Sequence, residues 1–453
     1  MRNLNRDSVD FGHGGIPGTF AKLFLPTLSG MMFSVLFCLT DGLFIGRGVG
    51  SDGLASVNLV MPIFTLATGL GMMFAVGASV VAAIHLAQKN LKAARIIITQ
   101  AFLATFVSGT LLGVILYAFP ERILLLMGCS ESLMEMCRMY YLWFVPCGLF
   151  VMIQIVGQFV IRLDGSPKYA MMVEVIPACL NIFLDWLFIF PVGWGLKGAA
   201  FATSLGSFTG VGMVAVYMLS SCRTLRLYRL KTSLTSILLT LRNIGYMAKT
   251  GLSGFLGEFS MSVLTLAGNY TFMEILGEDG VAAFSVTCYL IPVVFMVYAA
   301  ISQSAQPIIS YNYGAGNRER VRKTFRLAVT VAALFGLSMT LLMSLPAGIV
   351  VSLFLKEGSG AYNLCVGGFP LYTTGFVFMA VALTVIGYAQ SVEKSALATV
   401  LTVLRGMLLP VTTLIVMPYL FGVTGLWLAV PVAELITTVI IAVSSWCGAF
   451  RLK

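Results

Sequence analysis

The sequence predicts an all-α integral membrane fold: twelve transmembrane helices in two six-helix bundles related by an axis along the membrane normal. Three observations carry the prediction. The first is a long repeat. Gly50-Ser51-Asp52-Gly53-Leu54-Ala55 returns as Gly277-Glu278-Asp279-Gly280-Val281-Ala282, an offset of 277 − 50 = 227 residues in a chain of 453. The same offset pairs Lys22 with Lys249, Ala78 with Ala305, Asn90 with Asn317, Arg95 with Arg322, Gly195 with Gly422 and Gly198 with Gly425. Solenoid repeats run to about 20–50 residues, so a half-chain period marks a duplicated domain. The second observation is composition: 58% of residues are hydrophobic and 10% charged, with a mean hydropathy of +0.95. Soluble domains carry roughly a quarter charged residues. The third is that the apolar residues fall in runs of about 20 or more, the length that crosses a bilayer as helix. The short alternating segments of a membrane β-barrel are absent from the sequence.

In chain order, a polar segment at 1–19 precedes apolar runs near 20–45, 54–86, 94–118, 138–161, 169–191 and 197–220, which make a first bundle over 20–220. A basic linker at 221–244 leads to a second bundle over 245–448, with runs near 245–272, 281–309, 325–347, 363–388, 395–419 and 422–447, and a tail at 449–453. The polar start and the spanning length of the first run argue against a cleavable signal peptide. Six crossings return the chain to its starting side, so the copies insert in the same orientation, as parallel repeats do. A cavity between the bundles and a rocking motion of one against the other follow as expectations.

Charge sets the orientation. Arg2, Arg6, Lys89, Lys92, Arg95, Arg162 and Lys168 fall on one side, with Arg223, Arg226, Arg229, Lys231 and Arg242 of the linker. Arg318, Arg320, Arg322, Lys323, Arg326, Lys394, Arg451 and Lys453 join them, while the other side holds little beyond Arg47, Arg122, Arg138, Lys197 and Lys356. By the positive-inside rule both termini are cytoplasmic. Topology thereby accounts for the net charge of +10, and no nucleic-acid partner is expected.

Ionisable groups within spans are expensive in hydrocarbon and mark function by default. Six qualify: Asp41, Glu174, Asp185, Glu258, Arg405 and Glu434. Glu174 lies near the cytoplasmic start of its run, where reaching the interface is the simpler reading. Asp41 and Asp185 lie about 30 Å and 24 Å along outward-running helices at 1.5 Å per residue, at similar depth in the first bundle. Asn181 precedes Asp185 by one turn and shares its face. Two carboxylates and an amide in an apolar bundle can bind a cation or share a proton; the alternative is that Asp41 caps the outer end of its helix. Their counterparts in the second copy are Gly268 and Thr412, so this cluster belongs to one half only. In the second bundle Glu258, Arg405 and Glu434 either form a mutual ion-pair network or face a substrate cavity.

Other motifs point elsewhere. Gly193, Gly195 and Gly198 fit GxGxxG, but between two spans rather than after a strand. No P-loop occurs, His13 and His85 have no metal-ligand company, and the nine cysteines are scattered without a CxxC. Cys129 and Cys137 are close enough in sequence to pair, but free thiols are the expected state. GxxxG matches such as Gly42–Gly46 mark close helix packing.

Asn58-Leu59-Val60-Met61-Pro62, and Gln306-Pro307-Ile308-Ile309-Ser310-Tyr311-Asn312-Tyr313-Gly314-Ala315 followed by Gly316-Asn317 and a basic run, resemble the multidrug and toxic compound extrusion (MATE) family, in its bacterial multidrug-exporter branch. The resemblance covers essentially residues 15–448. It implies a cation site formed by Asp41, Tyr140, Asn181, Asp185 and Thr203, with Asp41, Asn181 and Asp185 as possible Na⁺ ligands, and a bend of the first helix near Pro26. It also implies a non-enzymatic secondary exporter of the bacterial inner membrane, without cofactor, that exchanges organic, often cationic, solutes for H⁺ or Na⁺. Such a carrier is expected to act as a monomer. Glu258, Arg405 and Glu434 are then substrate-cavity candidates. The alternative within the same superfamily architecture is a flippase for a lipid-linked saccharide precursor, whose cavity would be more cationic.

Overall fold

A computed structural model describes residues 9–450 of the chain. Arg2, Arg6, Arg451 and Lys453, used above for topology, lie outside the described residues. Clustering of backbone contacts separates two compact units, Met1–Phe255 and Leu256–Lys453. Among the described residues every regular element is helical.

The first unit contains α1 (Ile16–Gly48), α2 (Ser51–Ala87), α3 (Leu91–Ala118), the short α4 (Pro120–Leu126), α5 (Met134–Leu163), α6 (Pro167–Ile189) and α7 (Gly195–Val216). The last of these continues into a π-helical turn, Tyr217–Ser221. Helix α8 (Leu234–Gly314) begins in this unit and ends in the second. The second unit continues with α9 (Arg318–Ser344), α10 (Ala347–Ser352), α11 (Gly360–Thr373), α12 (Gly375–Ser391) and α13 (Ser395–Val403). A π-helical turn, Leu404–Leu408, then joins α13 to α14 (Leu409–Trp446). Among the described residues nine helices are long and apolar enough to cross a membrane, or ten if α11 and α12, bent by 42° at their junction, form one span. The expected run at 363–388 is therefore broken near Thr374, not straight.

The repeat is visible in the backbone. Gly50, between α1 and α2, has φ +100° and its counterpart Gly277 has φ +67°, interrupting α8. Gly195 and Gly422 have φ +54° and +56°, the latter interrupting α14. Left-handed backbone is strained for residues with a Cβ and open to glycine, which is why these turns kept glycine in both copies. Asn90 and Asn317 each cap a following helix, accepting from the amides of Ala93 and Arg320 at 3.1 Å.

Prolines inside the helices leave carbonyls unpaired one turn earlier, and at two of them in the first unit a side chain fills the gap. Pro146 frees the Leu142 carbonyl, which accepts from the Tyr117 hydroxyl at 2.6 Å. Pro177 frees the Val173 carbonyl, which accepts from Gln154 Nε2 at 2.8 Å. Helix α1 runs through Pro26 as one helix. The core of this unit joins Ile45, Val60, Leu124, Tyr140 and Phe144; that of the second stacks Phe272 on Phe284 with Trp427 edge-on. Large apolar side chains such as Phe106, Leu126, Leu219 and Trp446 remain exposed, a surface suited to lipid and not to water.

Candidate cation site and buried charges

Helix α1 packs along α6, and their polar residues meet at the seam. Asp41 lies 48 − 41 = 7 residues before the end of α1 and is 7% exposed. It is therefore not a cap; Val49 occupies that position. Asp185, on α6, is fully buried, and the two carboxyl groups lie within hydrogen-bonding reach of each other. As carboxylates neither can donate. Asp41 Oδ1, both Asp185 oxygens and Asn181 Oδ1 accordingly have no hydrogen-bond partner. Asn181 is anchored from its other end: its Nδ2 donates to Thr203 Oγ1 at 3.3 Å, and Thr203 donates to the Ala199 carbonyl at 3.0 Å. Tyr140 is buried from α5, stacked on Phe144 at 5.1 Å, and interacts electrostatically with both aspartates. The structure thus gathers Asp41, Tyr140, Asn181, Asp185 and Thr203 into one neighbourhood.

The donor set is all oxygen and carries two negative charges. A shared proton or one monovalent cation would relieve the repulsion and complete the unpaired oxygens. Among the described residues no group of three or more His, Cys, Asp or Glu side chains is placed to hold a metal ion; donors that are all oxygen favour hard ions over soft ones.

Comparison with known proteins follows from this geometry. The MatE family model matches residues 26–187 and again 255–416, once in each copy of the repeat and over more than half the chain. The chain belongs to the MatE family. It is similar to the multidrug export protein MepA of Staphylococcus saprophyticus, 22% identical over 418 residues, covering 91% of this chain and 89% of the relative. MepA of Staphylococcus aureus matches at 21% identity over 415 residues, 90% of this chain and 89% of the relative. Among solved structures, an outward-facing conformation of a multidrug resistance MATE family transporter of the MOP superfamily superposes with a TM-score of 0.88 at 21% identity, over 97% of each chain. A MOP superfamily transporter from Pyrococcus furiosus with a binding pocket of reversed polarity superposes at 0.87 and 20% identity, over 97% of each chain. At such identities the structural likeness shows the shared fold.

Away from the Asp41–Asp185 seam, the other buried charges divide differently from the sequence expectation. Arg405 and Glu434 form a bidentate pair, Nη2 to Oε1 at 2.8 Å and Nε to Oε2 at 3.1 Å, both deeply buried. The π-helical turn carries Arg405, and the buried hydroxyls of Tyr298 and Tyr372, which interact electrostatically with both partners, have no hydrogen-bond partner. Glu258 is not part of this pair: it is half-buried and makes no hydrogen bond or ion pair among the described residues. The three-member network is corrected to a pair plus one separate acid. Glu174 turns onto α1, accepting from Ser34 Oγ at 2.8 Å.

One feature of the second unit went unread in the sequence. A groove of about 840 Å³ lies between α8 and the start of α14, lined by Tyr270, Thr271, Glu274, Leu414, Pro418 and Tyr419 among others. None of Glu258, Arg405 and Glu434 lines it. Its residue types are ordinary for a membrane helix, and only the single acid Glu274 in an aromatic setting hinted at it. The nine cysteines are all free, Cys129 and Cys137 included.

Proposed function

We propose that the chain exports organic, often cationic, compounds by exchanging them for H⁺ or Na⁺ at the Asp41–Asp185 seam. Family and fold make it a secondary active multidrug efflux carrier of the membrane and not an enzyme. The observation that carries the ion assignment is the pair of facing aspartates with unpaired buried oxygens. An ion is coupled to a solute only if the two differ in affinity for the carrier's two states, and a charge pair on two packed helices provides such a difference.

Several finer features belong to the same reading. Counting α8 and α14 as two spans each, divided at Gly277 and Gly422, turns the ten candidates into twelve and restores the 6+6 repeat. Bundles at 20–220 and 245–448 with a linker at 221–244, both termini cytoplasmic in a bacterial inner membrane, and a monomer complete it. Tyr140, Asn181 and Thr203 position the ion, and bending of α1 near Pro26 couples it to transport. Glu258, an acid without a partner in a span, is the candidate in the second unit for attracting a cationic solute; Arg405 and Glu434 neutralise each other. That pairing also counts against a lipid-linked saccharide substrate, since the base expected to serve a pyrophosphate is already matched.

The test is uptake of ethidium into proteoliposomes under separately imposed pH and sodium gradients. Wild-type protein is expected to concentrate the dye under at least one gradient and Asp41→Asn under neither, at equal reconstitution. Accumulation by Asp41→Asn at the wild-type rate would remove the seam from the mechanism.

A further inference from the structure

The α1–α6 seam does not stop at the two aspartates. Glu174 and Asp185 are 11 residues apart on α6, three turns and hence one face, with Asn181 between them on that face. On α1, Thr27, Ser34 and Asp41 recur every seven residues, also along one face. The register between the helices is constant. Gly30 sits against Glu174 and Asp41 against Asp185, and 174 − 30 = 185 − 41 = 144. The helices therefore run parallel, with two stripes of polar side chains laid side by side through an apolar unit. A Cβ at position 30 would stand 2.5 Å from Glu174 Oε2, so glycine there is what lets the carboxylate lie flat on α1. Ser34 Oγ donates to the other oxygen at 2.8 Å. One turn before Gly30, the Thr27 hydroxyl is buried with no hydrogen-bond partner.

Packing alone does not account for this stripe. An acid that merely filled space between two helices would be replaced at less desolvation cost by an amide or a leucine. A carboxylate held by one hydroxyl, on the same face as the aspartate pair and nearer the helix start, is instead a second stop for the same ion.

We propose that Glu174 is the inner proton acceptor of the seam: a proton shared by Asp41 and Asp185 passes along the stripe to Glu174 and from there to the cytoplasm. The inference rests on the antiport reading above. The proton leaves a carboxyl oxygen of the aspartate pair, which returns to two carboxylates. It crosses about 16 Å of seam (11 residues at 1.5 Å) through water and the Ser34 hydroxyl, which can accept one proton while donating another. It protonates Glu174, and Glu174 returns to carboxylate on releasing it to water. Three sets of groups bear on this path. Ser34 and Thr27 face it from α1. Arg162, buried in the last turn of α5, acts on Glu174 electrostatically. Tyr140 of α5 and Cys38 of α1 act on the aspartate end. The Glu174 pocket, one hydroxyl and a close backbone, offers too few oxygens for sodium, so the proposal commits to the proton.

The experiment uses the full chain in proteoliposomes containing pyranine, with ethidium as substrate, and follows dye flux and proton flux together. Glu174→Gln is expected to bind ethidium within twofold of wild type while coupled proton and dye fluxes fall at least tenfold. The dependence of rate on cytoplasmic-side pH should flatten. Glu174→Asp should restore part of the flux, and Ser34→Ala should slow it three- to tenfold, which keeps the idea testable if Glu174→Gln does not fold. Wild-type fluxes in Glu174→Gln would overturn the proposal. So would equal losses of dye binding and flux in the Gln and Asp variants, the signature of packing only. A wild type driven by sodium and indifferent to pH overturns the proton path but leaves antiport standing. A wild type that transports under neither gradient overturns both.

Discussion

Removing one member of the Arg405–Glu434 pair is the sharpest test of the second unit. The guanidinium makes two contacts to the carboxylate, 2.8 and 3.1 Å, and both side chains are withdrawn from the surface. Arg405→Met leaves Glu434 buried, charged and without its cation. Losing one partner of a buried pair costs about 3–5 kcal/mol, on the order of a 10²- to 10⁴-fold shift in the folding equilibrium. The Tyr298 and Tyr372 hydroxyls stand close enough to interact with Glu434 and already lack partners. Neither hydroxyl hydrogen-bonds Glu434, so the expected loss stays in that range of about 3–5 kcal/mol. Replacing both residues, Arg405→Met with Glu434→Met, removes the charge altogether. Exchanging a whole buried pair for apolar side chains is about neutral or stabilising. The assay is reversible unfolding in mixed micelles, run as a double-mutant cycle, which isolates the coupling between neighbours. A coupling of about 2–3 kcal/mol or more is expected. A single variant within about 0.5 kcal/mol of wild type, or a double variant as unstable as the sum of the two single ones, would refute the argument that desolvation dominates this site.

Other outcomes follow from the first unit and from the glycine breaks. Asp185→Asn should abolish drug resistance at normal expression, measured as susceptibility of cells to a cationic dye, because one carboxylate cannot replace the pair. Gln154→Ala uncovers the Val173 carbonyl that Pro177 left without an amide; a loss of about 1–3 kcal/mol is expected by the same unfolding assay, whereas Gln154→Glu removes the donor without opening space and should lose a similar amount. Gly277→Ala and Gly422→Ala each force a Cβ into left-handed backbone, φ +67° and +56°, and should each cost about 1–2 kcal/mol. Gly257→Ala, which meets open space and has no left-handed backbone, serves as the control and should be close to neutral.

Much of this was legible before the fold was known, for a physical reason. In an apolar sequence a charged side chain stands out, and i, i+4 spacing places Asn181 and Asp185 on one face without knowledge of packing. Asp41 needed only its depth along a spanning run. The turns at Gly277 and Gly422 were legible through their counterparts Gly50 and Gly195, since a backbone that requires positive φ keeps its glycine when a domain is duplicated. The partner of Glu174 was not legible, because distance from a helix end says how far a side chain is from water but not which way it points. Its direction is fixed by Gly30 on another helix, 144 residues away, whose missing Cβ makes the room. The Arg405–Glu434 pair was half legible: the residues were singled out, but a π-helical turn at Leu404–Leu408 changes the facing of Arg405 in a way that a 3.6-residue period does not predict.

One place where the two copies have diverged bears on function. Residues 263–275 and 411–422 enclose the groove of about 840 Å³ in the second unit. Shifted by 227 they become 36–48 and 184–195, the stretches of α1 and α6 that close around Asp41 and Asp185 in the first. The same pair of repeat positions therefore makes a closely packed seam with two acids in one copy and an open groove with Tyr270, Tyr419 and Glu274 in the other. A buried carboxylate pair needs its helices in contact and bulk water held away, because its affinity for a small ion depends on a low dielectric. An organic solute needs the opposite, width and aromatic surface. One seam cannot satisfy both demands. Under the proposed function, duplication supplies two seams that can serve the two occupants separately without altering the helical frame. Gly268 and Thr412 occupy the second-copy positions of the two aspartates. Introducing Asp at both should not transplant an acid pair: a side chain at position 268 would run into the buried ring of Phe284, and Thr412 is exposed, so no tight ion site should form.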